Sequence, residues 1–287
     1  MRILGVGIVT LDVINLVDHY PEEDEELRAH SQYLRRGGNS ANTLNVLSQF
    51  NHDCYWVGTI ANDSSSRFIL NDFSQNNIDY SHCKKISPGK QPTSYITLNE
   101  CNGSRTIVHY RDLPELDFSH FKTISLHDFD WIHFEARAIE DTAAMVRLSK
   151  KQHPEKIISI EIEKPRENLS DIFNLADLYL FSKAYANNLG FNDARTFLGL
   201  QKTHSPNADL VCSWGERGAY ALLRNGDFFS SCAFPPENII DTIGAGDTFN
   251  AGLIHHRLRL NNWQDSLRFA CQLAGKKCGQ RGFENLA

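Results

Sequence analysis

An α/β fold, with a central and mostly parallel sheet flanked by helices and a small β-sheet lid attached to it, is what the sequence predicts. Two observations carry the prediction. Short β-branched runs alternate with amphipathic stretches through most of the chain, the order that βαβ units on a parallel sheet require. Two stretches, about 12–36 and 93–110, break the alternation and read as strands of a separate small layer. The 287 residues are read as one domain, 1–287, with the lid built from these two insertions. A chain of about 300 residues buries roughly 75% of its unfolded surface, enough for one large core.

The strands of the main sheet are placed, in order, at 3–9, 54–60, 131–134, 156–162, 178–181, 208–213 and 219–223. Helical pattern falls between them. Over 39–50, Ala41, Leu44, Val46, Leu47 and Phe50 share roughly one face, and over 263–278 Leu267, Ala270, Cys271 and Ala274 do the same. The first insertion has an apolar piece at 13–17, then Pro21 and five consecutive acids from Glu22 to Glu26, then a return at 32–34 before Gly37. The acids read as a solvated loop of the lid. The second insertion reads as strands at 93–99 and 105–110, and the Asn102-Gly103 pair between them is a hairpin signal.

Composition narrows the function. A net charge of −6 with no strongly basic tract argues against nucleic acid or an anionic membrane as main partner. No window approaches the ~18 apolar residues of a membrane helix. The apolar run at 3–11 is cut short by Asp12 with no small-residue cleavage site after it, so no signal peptide is read there. Seven cysteines without a CxxC pair suggest neither a disulfide framework nor zinc, and fit a reducing cytoplasm. The 12 histidines show no metal-ligand spacing, so no metal-ligating side chain is assigned.

Two glycine-rich segments are candidates for chemistry. Gly5-Val6-Gly7 lacks the third glycine of a dinucleotide fingerprint and reads as small residues that let a central strand pack tightly. A Walker A sequence is absent. The string from Asp241 to Asn250, DTIGAGDTFN, is sharper: Phe249, Leu253, Ile254 and Leu258 have helical spacing, so a helix starts at its glycines. Free backbone N–H groups and the positive end of the dipole there suit phosphate oxygens. Asp247, in the first turn, stands where a carboxylate can take a proton from an attacking hydroxyl, or can simply cap the helix.

This string resembles the signature of the ribokinase-like family of sugar and nucleoside kinases, and Gly37-Gly38-Asn39 with Asn42 is similar to that family's second mark. The segments LDVINLVDHYP, RRGGN, GSRTI, WIHFEAR, EIEKPRE, LVCSWGERGA, AFPP and RFACQLAGKKCG extend the resemblance over nearly the whole chain, to members that phosphorylate fructose. The resemblance implies a ribokinase-like fold and transfer of the γ-phosphoryl of ATP, with Mg2+, to the 1-hydroxyl of D-fructose or a similar ketose. It implies Asp247 as catalytic base, and Asp12, Gly38, Asn39, Asn42 and Asp247 around the sugar. It implies Arg105 with Gly244, Ala245 and Gly246 on the ATP phosphates, Gly215, Glu216, Arg217 and Gly218 as the loop beside the nucleotide, and Pro235, Pro236 and Cys271 on the adenine side. Potassium activation is common in similar kinases and leaves no side-chain mark.

Glu135 and Arg137 follow a strand and read as a local ion pair near the site; Lys164 reads as reaching a phosphate or covering surface. Many family members carry an NxxE motif that organises magnesium, whereas Phe181-Ser182-Lys183-Ala184-Tyr185 stands at the corresponding strand end. The segment Tyr110-Arg111-Asp112-Leu113 is shortened relative to similar chains. Competing readings are a kinase for another ketose or a nucleoside, and a sugar-binding or interaction protein without catalysis. Apolar residues on both faces of the second insertion further predict a homodimer that clasps two lids together.

Overall fold

The computed structural model describes residues 1–260 and 262–287. Its first strands, β1 (Arg2–Val6) and β2 (Thr10–Val17), are separate, although the apolar run predicts one strand over 3–9. Residues 7–9 cross from one sheet to another: Gly7 and Ile8 are half-buried, Val9 is fully covered, and only Gly7 still bonds to the main sheet, through its N–H to Val57 O at 3.1 Å. After β3 (Ser31–Gly37) comes α1 (Asn39–Gln49). The strand expected at 54–60 divides into β4 (Asp53–Val57) and β5 (Thr59–Ala61). At the break, Gly58 lies so near the Gly7 carbonyl that a Cβ would sit 2.2 Å from it. Helix α2 (Ser64–Gln75) starts where the Asp63 side chain accepts from Ser66 N, the usual way an Asp satisfies a free amide.

Two short strands unmarked in the sequence, β6 (Ile78–Asp79) and β7 (Lys84–Ile86), precede the hairpin of β8 (Thr93–Asn99) and β9 (Arg105–Tyr110). The rest alternates as expected: α3 (Phe118–Phe121), β10 (Trp131–Glu135), α4 (Ile139–Gln152), β11 (Ile157–Ile162), β12 (Leu178–Ser182), α5 (Lys183–Asn188), α6 (Ala194–His204) and β13 (Asp209–Ser213). An antiparallel edge follows, β14 (Ala219–Leu222) and β15 (Phe228–Ser231), and the chain closes with α7 (Ala245–Arg259) and α8 (Trp263–Cys278).

The main sheet has nine strands in the order β15-β14-β13-β12-β11-β10-β1-β4-β6, every neighbouring pair parallel except the two that β14 makes, with β13 and with β15. Its apolar residues divide into two clusters: α4 and α6 contribute to one, α1, α7 and α8 to the other. Because strands buried on both faces have no polar side, they read as continuous apolar runs. The strand order reverses at β1, which lies between β4 and β10, so a crevice opens at the carboxyl ends of β1 and β10. The lid is a four-stranded sheet in the order β3-β2-β8-β9, standing over that end.

Helix α1 departs from its expected amphipathic pattern. Every residue from Ser40 to Leu47 is buried, since the helix is wedged between the sheet and α7. Its small polar residues lie against neighbours rather than water. Close packing of α1 on β1 requires Gly5, where a Cβ would meet Ser40 Oγ at 2.6 Å and Leu44 Cδ1 at 2.7 Å. Gly5→Val is therefore expected to lower stability by about 1–3 kcal/mol through overpacking, read from the urea midpoint. Gly246→Ala is the control, because nothing lies within 4 Å of an added Cβ there.

Candidate active site

Two helix N-termini meet at the crevice. Gly38, with φ +107°, turns the chain from β3 into α1 and lies so close to Ile8 O that a Cβ would be 2.1 Å away. Gly244, with φ +81°, does the same for α7, pressed against the Phe283 ring. Neither helix has a cap from its own N-cap side chain; in α1 the Ser40 amide is taken by Glu135, while in α7 the Gly246 and Asp247 amides stay available at the positive end of the dipole. Between them lies a cavity of about 510 Å³, lined from the lid by Asp12, Ser94, Arg105 and His109, from the main sheet by Glu135 and Glu161, and from α7 by Asp247, among others.

Asp247 is 7% exposed and is not a cap: its Oδ2 accepts from Asn42 Nδ2 at 2.7 Å, across from α7 to α1. The Asn42 amide is oriented in turn by Arg36, whose Nη1 donates to Asn42 Oδ1 at 2.8 Å while its Nε reaches Asp72 at 2.6 Å. Burial pushes the Asp247 carboxyl up to about 8; the Asn42 bond opposes this, and Glu163 and Glu135 add to it. A carboxyl poised near neutrality can hold or release a proton at working pH, which a capping aspartate far below pH 7 cannot do.

Three glutamates surround it. Glu135 ends β10 and its Oε1 accepts from Ser40 N at 2.7 Å, in the first turn of α1. Gly7 makes room for that carboxylate, for a Cβ there would stand 2.4 Å from Oε1. The expected ion pair of Glu135 with Arg137 does not form; Arg137 Nε pairs with Glu115 at 2.8 Å, because the helix amide has already taken Glu135. Glu161 and Glu163 both accept from Asn39 Nδ2, at 3.1 and 3.2 Å. Burial, then the Asp247 charge, drives the Glu161 carboxyl well above its usual range, and burial raises Glu135 to about 7. Glu161 and Glu163 were not singled out from the sequence, although an EIE run closing a buried strand is itself an anomaly worth marking.

Asp12 stands in the lid strand β2, not at the end of the first strand, because the chain changes sheets at 7–9. Its Oδ1 accepts from Thr10 Oγ1 at 2.8 Å, and burial raises its carboxyl. Gly38, Asn39, Asn42, Gly244, Ala245 and Gly246 all line the cavity with Asp12 and Asp247. Arg105, on β9, lines it too and has no hydrogen-bond or ion-pair partner among the described residues. Lys164 is exposed at the rim beside Glu163 Oε1, 3.3 Å away. The Gly215–Gly218 turn is not part of this lining; Glu216 pairs with Lys183 at 2.7 Å and Arg217 borders a smaller separate pocket. Pro235, Pro236 and Cys271 also lie outside the lining, and burial pushes the Cys271 thiol up to about 11.

The loop before α7 is held from beneath. Lys277 on α8 is fully buried; its Nζ donates to Asp241 O at 2.8 Å and pairs with Asp241 Oδ2 at 2.9 Å, while Arg35 of the lid strand β3 reaches the same oxygen at 2.9 Å. Burial alone would raise the Asp241 carboxyl, but the two cations outweigh it and hold it below the usual range. Outside the cavity, Asp18, His30 and Glu100 form one exposed cluster at the end of the lid. No helix among the described residues is long and apolar enough to cross a membrane.

Comparison with known proteins agrees with this architecture. The pattern of the pfkB family carbohydrate kinases matches residues 2–286. The chain is 42% identical to the ketohexokinase of Mus musculus over 99% of its own length and 98% of the relative's. It is 26% identical to a fructosamine kinase of Bacillus subtilis, over 98% and 92%. Among solved structures, ribokinase from Giardia lamblia superposes with a TM-score of 0.85 at 18% identity, over 100% and 96% of the two chains. Ribokinase from Arabidopsis thaliana, complexed with ribose and ATP, gives 0.81 at 15%, over 98% and 93%.

Removing one member of the Asp241 cluster leaves a buried charge with less compensation. Lys277→Met is expected to cost about 3 kcal/mol in urea unfolding, and adding Asp241→Asn is expected to restore part of it.

Proposed function

The chain belongs to the pfkB family of carbohydrate kinases, and from that premise we propose that it transfers the γ-phosphoryl group of ATP to the 1-hydroxyl of D-fructose. The observation that carries the reading is the Asn42 to Asp247 bond between the starts of α1 and α7, which sets a buried carboxyl able to take up a proton beside the amides that open α7. The likeness to a ketohexokinase at 42% identity supports fructose as the acceptor.

In this reading Asp12, Gly38, Asn39 and Asn42 hold the sugar, whose hydroxyls find both donors and acceptors in carboxylates and amides. Asp247 takes the proton of the attacking hydroxyl as its oxygen bonds to the γ-phosphorus and the bond to the bridging oxygen breaks, releasing ADP. The amides of Gly244, Ala245 and Gly246, with the Arg105 guanidinium, meet the charge on the phosphoryl oxygens. The turn Gly215, Glu216, Arg217 and Gly218, with Pro235, Pro236 and Cys271, would flank the nucleotide beyond the cavity.

Mg2+ fits the residues present. Glu161 Oε2 is buried without a hydrogen-bond partner, and carboxylates crowded enough to raise each other's pKa values are what a divalent cation relieves. Glu161 and Glu163 would hold it, and when bound it neutralises phosphate charge. All seven cysteines are unpaired, which supports a reducing, cytoplasmic setting.

The test is ADP release over a panel of ketoses, aldoses and nucleosides, in sodium and in potassium buffers, with the phosphorylated position read by NMR. Fructose 1-phosphate is expected; a preferred nucleoside or no acceptor overturns the reading. Asp247→Asn is expected to lower kcat by about 10²- to 10⁴-fold with ATP affinity nearly unchanged. The same change should also stabilise the ligand-free protein. A carboxyl raised from 3.8 unfolded to about 8 folded makes stability fall as pH rises between those values, so the melting temperature of the variant should exceed that of the parent by a margin that grows from pH 4 to pH 8.

The lid supports a homodimer. In register across its strands lie Leu34, Val13, Tyr95 and Val108, a row on the face turned from the cavity, with Leu34, Tyr95 and Val108 exposed at 47%, 52% and 67%. Such a row wants a second apolar layer. Light scattering at micromolar concentration should give a mass near twice 32.6 kDa; a monomer fully active on dilution rules the clasp out.

A further inference from the structure

On the inner face of the lid, Asp12, Ser94 and His109 stand side by side in register across β2, β8 and β9, and all three line the cavity. His109 falls just before the shortened segment at 110–113 and carries no role in the reading above. Its ring lies 3.1 Å, through Nδ1, from Ser94 Oγ. Among the described residues the other nitrogen, Nε2, has no hydrogen-bond partner, and the residue is exposed where it borders the cavity.

The contact with Ser94 occupies Nδ1 and fixes the plane of the ring, leaving Nε2 open to the cavity. Whichever nitrogen carries the hydrogen, Nε2 can pair with a hydroxyl, which both donates and accepts. The surrounding charges keep the ring neutral: burial, Arg111, Arg137 and Lys164 all lower its pKa, and Asp12 alone opposes them. A neutral ring nitrogen facing a polar cavity suits a hydroxyl group and lacks the positive charge that would favour phosphate oxygens.

We propose that His109 is a binding residue for the phosphoryl acceptor, its Nε2 hydrogen-bonded to one hydroxyl of the sugar, in a ring orientation set by Ser94. The proposal rests on the carbohydrate-kinase reading but not on fructose in particular, so the test uses whichever acceptor the wild-type protein prefers in the panel.

Three variants separate this role from a structural one. His109→Gln can return an amide oxygen to the position of Nε2, His109→Asn keeps only a group near Nδ1, and His109→Leu keeps neither. The Leu and Asn variants are expected to raise the acceptor KM about three- to tenfold, the worth of one neutral hydrogen bond, with the KM for Mg·ATP within twofold and the Gln variant close to wild type. A series of singly deoxygenated acceptors should contain one member whose KM no longer responds to His109→Leu, which identifies the hydroxyl. An unchanged acceptor KM in the folded Leu variant, or equal losses for acceptor and ATP, overturns the proposal. A wild-type preference for an acceptor other than fructose overturns the choice of sugar while the His109 comparison still decides on that acceptor; transfer to no acceptor at all defeats both.

Discussion

Four carboxylates, Glu135, Glu161, Glu163 and Asp247, are gathered at one end of the main sheet, and holding them there against their mutual repulsion is the constraint that organises their surroundings. Each is met by a donor: Ser40 N for Glu135, the Asn39 amide for Glu161 and Glu163, the Asn42 amide for Asp247. All three donors belong to the first turn of α1. That single turn is therefore the frame of the site, and it explains why the helix is buried on every side and why the chain must be slim at Gly5 in β1 and at Gly7 just beyond it to let it approach. The arrangement costs stability in the free protein, a familiar condition of sites built to handle charge.

The lid is coupled to this frame by two consecutive arginines of β3. Adjacent residues of a strand point to opposite sides, and here Arg35 reaches Asp241 ahead of α7 while Arg36 reaches Asn42 on α1 and Asp72 on α2. One strand of the small sheet thus touches both helix starts through side chains that exchange no partners. Lys277 completes the anchorage from α8.

Much of this was legible in the sequence, and the remainder was hidden for identifiable reasons. The string 241–250 and Gly37-Gly38-Asn39 mark the two helix starts because glycine is used where a Cβ would collide, and collisions constrain residue type. The alternation that yields β10 to β13 is equally plain. The break between β1 and β2 was not, since a crossover that ends covered at Val9 uses the same apolar residues as a strand. Glu135 was assigned a partner by proximity in sequence, whereas its actual partner, Ser40 N, is a backbone group far along the chain, which side-chain pattern cannot reveal. Glu161 and Glu163 pass unnoticed without the fold, because acidic residues are common and only the burial of Glu161 and the Asn39 donor the two share make them exceptional.

The cavity wall is divided between two sheets that share no backbone ladder: Asp12, Ser94, Arg105 and His109 come from one, Asn39, Asn42 and Asp247 from beside the other. A water molecule is too small to span both walls, whereas a polyol with hydroxyls around its whole perimeter can bond to each at once. On the reading proposed above, the acceptor is itself the link between the two walls and takes the place of solvent between them. On that reading an enzyme assembled in this way guards its high-energy donor against idle hydrolysis by architecture, since the set of contacts around the transferred group is complete only when the molecule that should receive the phosphate already bridges the gap.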